Sequence, residues 1–161
     1  MKFHLIKSFQ AEGLIEPNSN RNHPMQRFPQ KYKSNLRPEV WELSENSAGV
    51  SISFFSNTNQ LSIKWSLKHD NKMNHMTEAA IKGVDLYYKK LNKWIYLNTG
   101  LPNSKDNEQV LFSVKSRKKR EFRLHLPLYD TITNIQIGYD ISSEIEYVKS
   151  KKLPIIFYGT S

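Results

Sequence analysis

Apolar and polar side chains alternate along most of this chain, and this pattern restricts its fold more than any other feature. Between residues 60 and 68 every second side chain is apolar: Leu61, Ile63, Trp65 and Leu67. Successive side chains of a β-strand point to opposite faces of a sheet, so this period of two is typical of half-buried strands. Helical periodicity is nearly absent. The pattern therefore predicts a protein built from strands, each with one face on a core.

Short alternating segments recur along the chain, at residues 50–55, 61–67, 84–88, 93–97, 110–114, 121–126 and 134–137. Turn-forming residues separate them. Asn57 to Asn59 is a polar connection of this kind, and it predicts that the first two strands form a hairpin. The expected fold is all-β, an antiparallel β-sandwich of jelly-roll-like form.

Two segments depart from the alternation. The first departure is a polar, irregular stretch with several prolines, which begins within residues 1–27 and extends beyond them. We expect residues 1–27 to be an N-terminal arm that becomes ordered by contact with a β-sandwich at residues 28–148. Residues 153–158 are apolar without alternation, as in a strand buried on both faces of a parallel sheet. We therefore expect residues 149–161 to be a basic linker followed by the first strand of a separate, missing α/β domain.

Composition excludes several classes of function. The 161 residues fit one domain, and the absence of cysteine excludes disulfides, thiolate catalysis and cysteine-based zinc sites. No apolar stretch approaches the roughly 18 residues of a membrane span, and no apolar signal-peptide region follows Met1. We expect no membrane partner, no cofactor and no nucleic acid. The net charge is +9, and its one dense run, Arg117 to Arg120, is expected to be a solvated loop, with polyanion binding as the alternative.

Several motifs occur in a recognisable order: "VWELSENSAGVSISFFSN", "LSIKWSL", "MNHMT", "IKGVDLYY", "REFRLHLPLYD", "IQIGYD" and "PIIFYGTS". The segment Gly83 to Tyr87 reads Gly-x-Asp-Leu-Tyr, and Arg27-Phe28-Pro29 is similar to an Arg-Leu-Pro motif. This series resembles the N-terminal domain of a bacterial family of SGNH (GDSL-type) hydrolases. The resemblance runs from about Phe28 to Ser161.

The resemblance implies an accessory β-sandwich that precedes a C-terminal SGNH catalytic domain. Ser161 takes the place of the nucleophile in the family's first block, Tyr-Gly-Thr-Ser. The implied reaction is serine-dependent hydrolysis of an ester or an acylated carbohydrate, and members of the family are commonly exported. The later blocks that supply the oxyanion donors and the base do not occur in this sequence, so we expect the chain alone to be inactive.

The resemblance also marks residues outside the nucleophile block. Asn74, His75 and Met76, together with Asp85 and Tyr87, are expected at the pocket mouth or at the interface with the catalytic domain. For His75 the alternative is a loop histidine that fixes a turn, and for Asp85 it is a structural carboxylate. No second histidine or carboxylate stands at a ligand spacing from His75, so no metal site is predicted. Asp130, a further residue of a matching motif, has the sequence context of a turn cap.

A stand-alone carbohydrate-binding module is the alternative function. It would use exposed aromatic side chains, and the candidates are Trp41, Trp65 and Trp94. The alternation places Trp65 on the buried face, and we expect at least two of the three in the core. We also expect self-association through residues 153–158, because an uncovered apolar strand favours pairing with another chain.

Overall fold

The computed structural model describes residues 1–148, which form two antiparallel β-sheets packed face to face. The strands within these residues are β1 Lys2–Leu5, β2 Ser51–Ser56, β3 Gln60–Leu67, β4 Val84–Lys90, β5 Lys93–Gly100, β6 Asp106–Ser113, β7 Arg120–His125, β8 Ile132–Tyr139 and β9 Ile145–Val148. One sheet has the order β1-β8-β3-β6 and the other β5-β4-β7-β2-β9. The predicted all-β sandwich is confirmed.

Helical structure is short and peripheral. The α-helices are α1 Pro38–Ser44 and α2 Glu78–Lys82, and two 3-10 helices span Ser8–Gln10 and Gln30–Asn35. Pro38 stands at the first position of α1, where its missing N–H leaves no hydrogen bond unmade. In α2 the side chain of Thr77 caps the helix by accepting from the backbone N–H of Ala80.

The core lies between the sheets, on the faces that the alternation predicts. The inward side chains of β3 include Ile63 and Trp65, both fully buried, and β2 and β7 contribute Phe54 and Phe122 from the other sheet. The rings of Phe54 and Phe122 stack with their centroids 5.5 Å apart. The strands thus owe their stability to one shared apolar layer.

The predicted hairpin between the first two long strands is wrong. β2 pairs with β7 and β9, whereas β3 pairs with β6 and β8 in the opposite sheet. Residues 57–59 therefore form an arch between sheets. Thr58 and Asn59 both donate to the carboxylate of Asp140, at 2.9 and 2.8 Å, and these bonds hold the arch against the β8–β9 connection. The inward faces of the two strands meet across the core, while their edges pair with other strands.

The segment expected to be an N-terminal arm adds a strand to the sandwich. β1 pairs with β8 at the edge of its sheet, and Ile6, Ala11 and Met25 belong to the buried core. Further along, Glu12 forms an isolated bridge with Ser51 at the edge of β2 that faces away from β7. Residues 1–27 therefore pack against both sheets.

The connections between strands divide between two ends of the sandwich. One end carries the β3–β4, β5–β6 and β7–β8 connections, and the other carries β2–β3, β4–β5, β6–β7 and β8–β9. The pairing of β4 with β5 shows this division, because Lys90 faces Lys93 at one end and Val84 faces Gly100 at the other.

Candidate functional site

A groove of about 430 Å³ lies at the end of the sandwich that carries the β3–β4 and β7–β8 connections. We call this end the groove end. The groove lies between α2 and the outer face of the five-stranded sheet, and it is lined by Gly49, Val50, Ala79, Ala80, Gly83, Asp85, Tyr87, His125, Leu126 and Leu128. Its walls combine small and apolar side chains with a carboxylate, a phenol and an imidazole.

The junction of α2 and β4 sets the shape of this groove. A Cβ atom added at Gly83 would lie 2.4 Å from the carbonyl oxygen of Ala79 and 3.0 Å from that of Gly100. Only glycine therefore allows the helix to pass directly into the strand. Because β4 then alternates, Val84 and Leu86 enter the core while Asp85 and Tyr87 face outward toward the groove.

Pairing between strands aligns a row of polar side chains across the outer face. His125 on β7 lies opposite Ser51 on β2 and opposite Asp85 on β4, and Asp85 in turn lies opposite Thr99 on β5. The hydroxyl of Thr99 donates to Asp85 Oδ1 at 2.5 Å. The hydroxyl of Tyr96 lies 2.9 Å from Thr99 Oγ1 and extends this chain of hydrogen bonds to the surface.

Tyr87 packs at the centre of this face. Its ring meets the ring of His125 edge-on at 5.4 Å and the ring of Tyr96 at 5.6 Å. These are the centroid separations at which aromatic pairs attract one another. Tyr87 therefore packs between His125 and Tyr96 on the outer face of the sheet.

The row Ser51, His125 and Asp85 contains the residue types of a serine-hydrolase triad, but the hydrogen bonds of a triad are not made. Among residues 1–148, no hydrogen bond joins Ser51 Oγ to His125 or His125 to Asp85, and the short bond to Asp85 comes from Thr99. Burial lowers the pKa of His125, Arg123 lowers it further, and Asp85 acts in the opposite direction. The hydrogen bonds of this face therefore run from Tyr96 through Thr99 to Asp85, and those that would link Asp85, His125 and Ser51 as a triad are not formed in the described part of the chain.

Arg123 lies on the outer face of the sheet next to this row and contacts three neighbouring side chains. Its Nε donates to Ser53 Oγ at 3.0 Å, and its guanidinium lies 4.5 Å from the ring centroid of Trp94. The Glu12 carboxylate lies 3.6 Å from its Nη2. Arginine therefore covers one face of Trp94, which is half-buried.

The other two tryptophans are in the interior, as expected for at least two of the three. Trp65 is fully buried, and its Nε1 donates to the backbone carbonyl of Lys82 at 3.2 Å. Trp41 on α1 is 7% exposed. An aromatic platform built from the three tryptophans is therefore absent.

The residues marked by the sequence fall into two places. Asp85 and Tyr87 line the groove, whereas Asn74, His75 and Met76 lie on the loop between β3 and α2, outside the groove lining. His75 is exposed, and its Nδ1 lies 3.0 Å from Asn74 Oδ1. Ser161 and the apolar segment 153–158 lie outside the described residues.

Asp130 is a turn cap, as its sequence context predicts. The side chain is fully buried and accepts hydrogen bonds from the backbone N–H groups of His69, Asn71 and Thr131 at 3.2, 2.9 and 2.8 Å. It therefore ties the β7–β8 connection to the start of the β3–β4 connection. Both connections border the groove end.

His125, Thr99 and Ser51 are groove-face residues that the sequence did not identify. Each stands at an outward position of an alternating strand, and His125 lies within the quoted motif "REFRLHLPLYD". Their proximity depends on the pairing of β7 with β2 and β4, which brings together residues about 40 and 70 positions apart. The alternation alone gives the face of each side chain but not its neighbours.

Within residues 1–148, no cluster of three histidine, aspartate or glutamate side chains is arranged to hold a metal ion. No helix in this part of the chain is long and apolar enough to cross a membrane.

Comparison with known proteins identifies relatives of this domain. Residues 1–145 match the sequence model of the GxDLY family, described as the N-terminus of esterases of the SGNH hydrolase type. A protein described as a GDSL-like lipase from Bacteroides ovatus superposes with a TM-score of 0.78 and 27% identity, over 89% of this chain and 42% of that one. Salicylyl-acyltransferase SsfX3 from a tetracycline biosynthetic pathway gives a TM-score of 0.62 and 12% identity, over 94% and 43% of the two chains.

The second likeness shows the fold alone, since its identity is only 12%. The chain spans less than half of the length of either structure. A comparison with curated proteins finds no match.

Proposed function

The chain belongs to the GxDLY family, the N-terminus of SGNH-type esterases, and from that premise we propose that it is the accessory domain of a serine esterase. In this proposal its groove end docks against the catalytic domain. Ser161 is the proposed nucleophile, and the domain itself supplies no turnover. The proposed substrate is a small ester or an acylated carbohydrate. The sandwich also has the strand arrangement of a jelly roll in this proposal. It is supported by the strand orders of the two sheets, β1-β8-β3-β6 in one and β5-β4-β7-β2 in the other.

The direction of β9 carries this proposal. Ile145 pairs with Ser56 and Val148 pairs with Ser53, so β9 runs along β2 toward Ser51. Ser51 lies opposite His125, at the groove end of the sheet. The last described strand is therefore directed toward the end of the sandwich that carries the groove, which supports placing a following domain there.

The surface of the groove end supports a protein partner. Leu128 is 44% exposed beside the more buried Val50 and Leu126, while Asp85 and His125 offer polar contacts on the opposite wall. An apolar centre with a few polar groups is the usual composition of an interface core. In this arrangement Asp85, Tyr87 and His125 border the entrance to the active site of the catalytic domain.

The docking is tested on the protein with its catalytic domain attached. Leu128→Glu places a charge in the docked surface, so we expect the domains to unfold in two separate transitions and the esterase activity to fall. Val110→Glu on β6 is the matched control, because Val110 is 47% exposed and lies away from the groove. Equal effects of the two substitutions, or an effect of neither, would contradict docking at the groove end.

Carbohydrate binding is the second candidate function. The observation that favours it is the aromatic group formed by Tyr87, Trp94 and Tyr96 on the outer face, in which Tyr96 is 53% exposed. Sugar rings stack on such surfaces. Titration of the chain with glycans, followed by tryptophan fluorescence through Trp94, tests this candidate, and Tyr96→Ala should abolish any response.

A further inference from the structure

The end of the sandwich opposite the groove is strongly basic. We call it the basic end, and it consists of the β2–β3, β4–β5, β6–β7 and β8–β9 connections with the strand residues next to them. Six cationic residues there have no ion pair within residues 1–148: Lys90, Lys93, Lys115, Arg117, Lys118 and Arg120. Lys89 and Lys119 pair with Glu121 and Glu146.

Charges at the groove end are balanced in comparison. Lys68 pairs with Glu45 at 2.5 Å, and Lys82 pairs with Asp70 and Glu78 at 2.5 and 2.9 Å. At the basic end the six cations face only two further carboxylates, Asp140 and Glu144, so positive charge predominates at this end of the described chain. A potential of one sign concentrated on one surface attracts partners of the opposite sign.

The loops of the basic end are joined to one another. Arg117 donates to Ser142 Oγ at 2.5 Å, which links the β6–β7 and β8–β9 connections. The Asp140 carboxylate accepts from Thr58 and Asn59, and these hydrogen bonds lower its pKa. The basic residues therefore stand on a continuous surface and not on independent loops.

Two aliphatic side chains project from this same end. Leu91 is 90% exposed and Ile141 is 71% exposed, the highest values among the large apolar residues of the described chain. Leu91 and Asn92 both have positive φ angles, +48° and +61°, in the two-residue turn between β4 and β5. Such turns favour asparagine and glycine, so the leucine is unfavourable there for both the backbone and the exposed side chain.

We propose that the basic end binds the surface of an anionic lipid membrane. A soluble polyanion would form ion pairs with the lysines and arginines, but it would offer no apolar surface for Leu91 and Ile141 to contact. A lipid surface accommodates both features, because aliphatic side chains enter the headgroup region while cationic groups contact anionic headgroups. Leu91 lies on the β4–β5 connection and Ile141 on the β8–β9 connection, so both belong to the same end of the sandwich as the basic β6–β7 connection.

This inference does not depend on the function proposed for the groove end. It replaces the expectation of no membrane partner, which was based on the lack of a spanning segment. A domain bound at the membrane surface needs no such segment. Bound in this way, the domain would direct its groove end away from the lipid.

Cosedimentation of the chain with vesicles tests the proposal. We expect binding to vesicles of phosphatidylcholine mixed with phosphatidylglycerol, no binding to phosphatidylcholine alone, and release by added NaCl. Leu91→Asn should weaken binding about tenfold while suiting the turn better than leucine does. Lys90→Gln with Lys93→Gln should weaken binding roughly fivefold for each charge removed.

Matched substitutions elsewhere are the controls. Leu43→Asn on α1 removes an aliphatic side chain that is 56% exposed, and Lys105→Gln removes an exposed lysine at the groove end. Neither should change vesicle binding. Three results would overturn the proposal: no binding to the anionic vesicles, equal effects of the control substitutions, or binding that Leu91→Asn leaves unchanged and dextran sulfate abolishes. The last would identify the partner as a soluble polyanion.

Discussion

Trp65 combines two stabilising contacts in one side chain. Its ring fills the core opposite the five-stranded sheet, and its indole N–H donates to the carbonyl of Lys82 at the end of α2. The inward face of β3 and the helix that borders the groove are therefore held by the same residue. This position follows from the alternation of β3, whereas its hydrogen bond to α2 depends on how the β3–β4 connection folds back.

Trp65→Ala should lower the free energy of unfolding by about 3–5 kcal/mol, because it removes a fully buried aromatic side chain and leaves a cavity. Urea denaturation measures the change. Trp94→Ala is the control and should have a much smaller effect, since Trp94 is half-buried on the outer face. A loss at Trp65 within about 0.5 kcal/mol would contradict its assignment to the core.

His125 should make the fold sensitive to acid. Its pKa is lowered in the folded protein by burial and by Arg123, whereas a histidine in an unfolded chain titrates near its ordinary value of about 6.5. Below that value the unfolded chain binds more protons than the folded one, so the free energy of unfolding falls as the pH falls.

His125→Gln removes this contribution, so stability should decline less steeply with acidification in urea melts between about pH 7 and pH 5. Burial also lowers the pKa of His23, so His23→Gln should act in the same direction at an independent site. If His125→Gln leaves the slope unchanged, the folded protein does not hold this histidine in its neutral form.

At the scale of elements, the α2–β4 junction is the most constrained part of the groove end. Gly83 is the glycine of the Gly-x-Asp-Leu-Tyr motif, and the close approach of two carbonyl oxygens explains why a side chain is excluded there. The aspartate and tyrosine of the motif line the groove, while its leucine enters the core. One five-residue segment thus forms the junction between α2 and β4, contributes a leucine to the core and supplies two residues that line the groove.

Gly83→Ala should destabilise the fold by about 1–3 kcal/mol, because the new methyl group meets backbone atoms that cannot rotate away. Thermal unfolding followed by circular dichroism measures the change. Gly49→Ala is an informative comparison, since no atom lies within 4 Å of its added Cβ and its φ of +77° is the only source of strain. A Gly83→Ala variant as stable as the parent would show that α2 is free to shift away from β4.

The sequence predicts most strands of this fold, but not how they pair. Alternation in segments such as 61–67 and 121–126 gives both the strand and its buried face, because burial of one face is what selects the pattern. The four-residue strands β1 and β9 are too short and too exposed to show it. The pairing of β2 is wrong in the sequence-based prediction because a short polar connection suits an arch between sheets as well as a hairpin.

The candidate site divides in the same way. Asp85 and Tyr87 could be singled out from a motif, because both stand in one contiguous segment. The neighbours that define their chemistry, Thr99 and His125, come from other strands and are brought close by register. Distances of this kind are properties of the pairing, and no local pattern contains them.

At the scale of the whole molecule, the sandwich has two dissimilar ends. At the groove end, positive and negative side chains form ion pairs, and the groove is lined by both apolar and polar residues. Strand β9 is directed toward this end. The basic end has six unpaired cations and two exposed aliphatic side chains within the described residues. We infer an accessory domain that supports a catalytic domain at one end and contacts an anionic surface at the other.

Hydrolysis of p-nitrophenyl acetate by the 161-residue chain tests the central claim, that this domain shapes an esterase without being one. Within residues 1–148 the row Ser51, His125 and Asp85 lacks the hydrogen bonds that activate a serine. In the function proposed above, the nucleophile Ser161 takes its base and oxyanion donors from the catalytic domain. We predict that the chain shows no turnover above that of its Ser161→Ala variant. Saturable hydrolysis that is abolished by Ser161→Ala, Ser51→Ala or His125→Gln would contradict the claim and make this chain an enzyme in its own right.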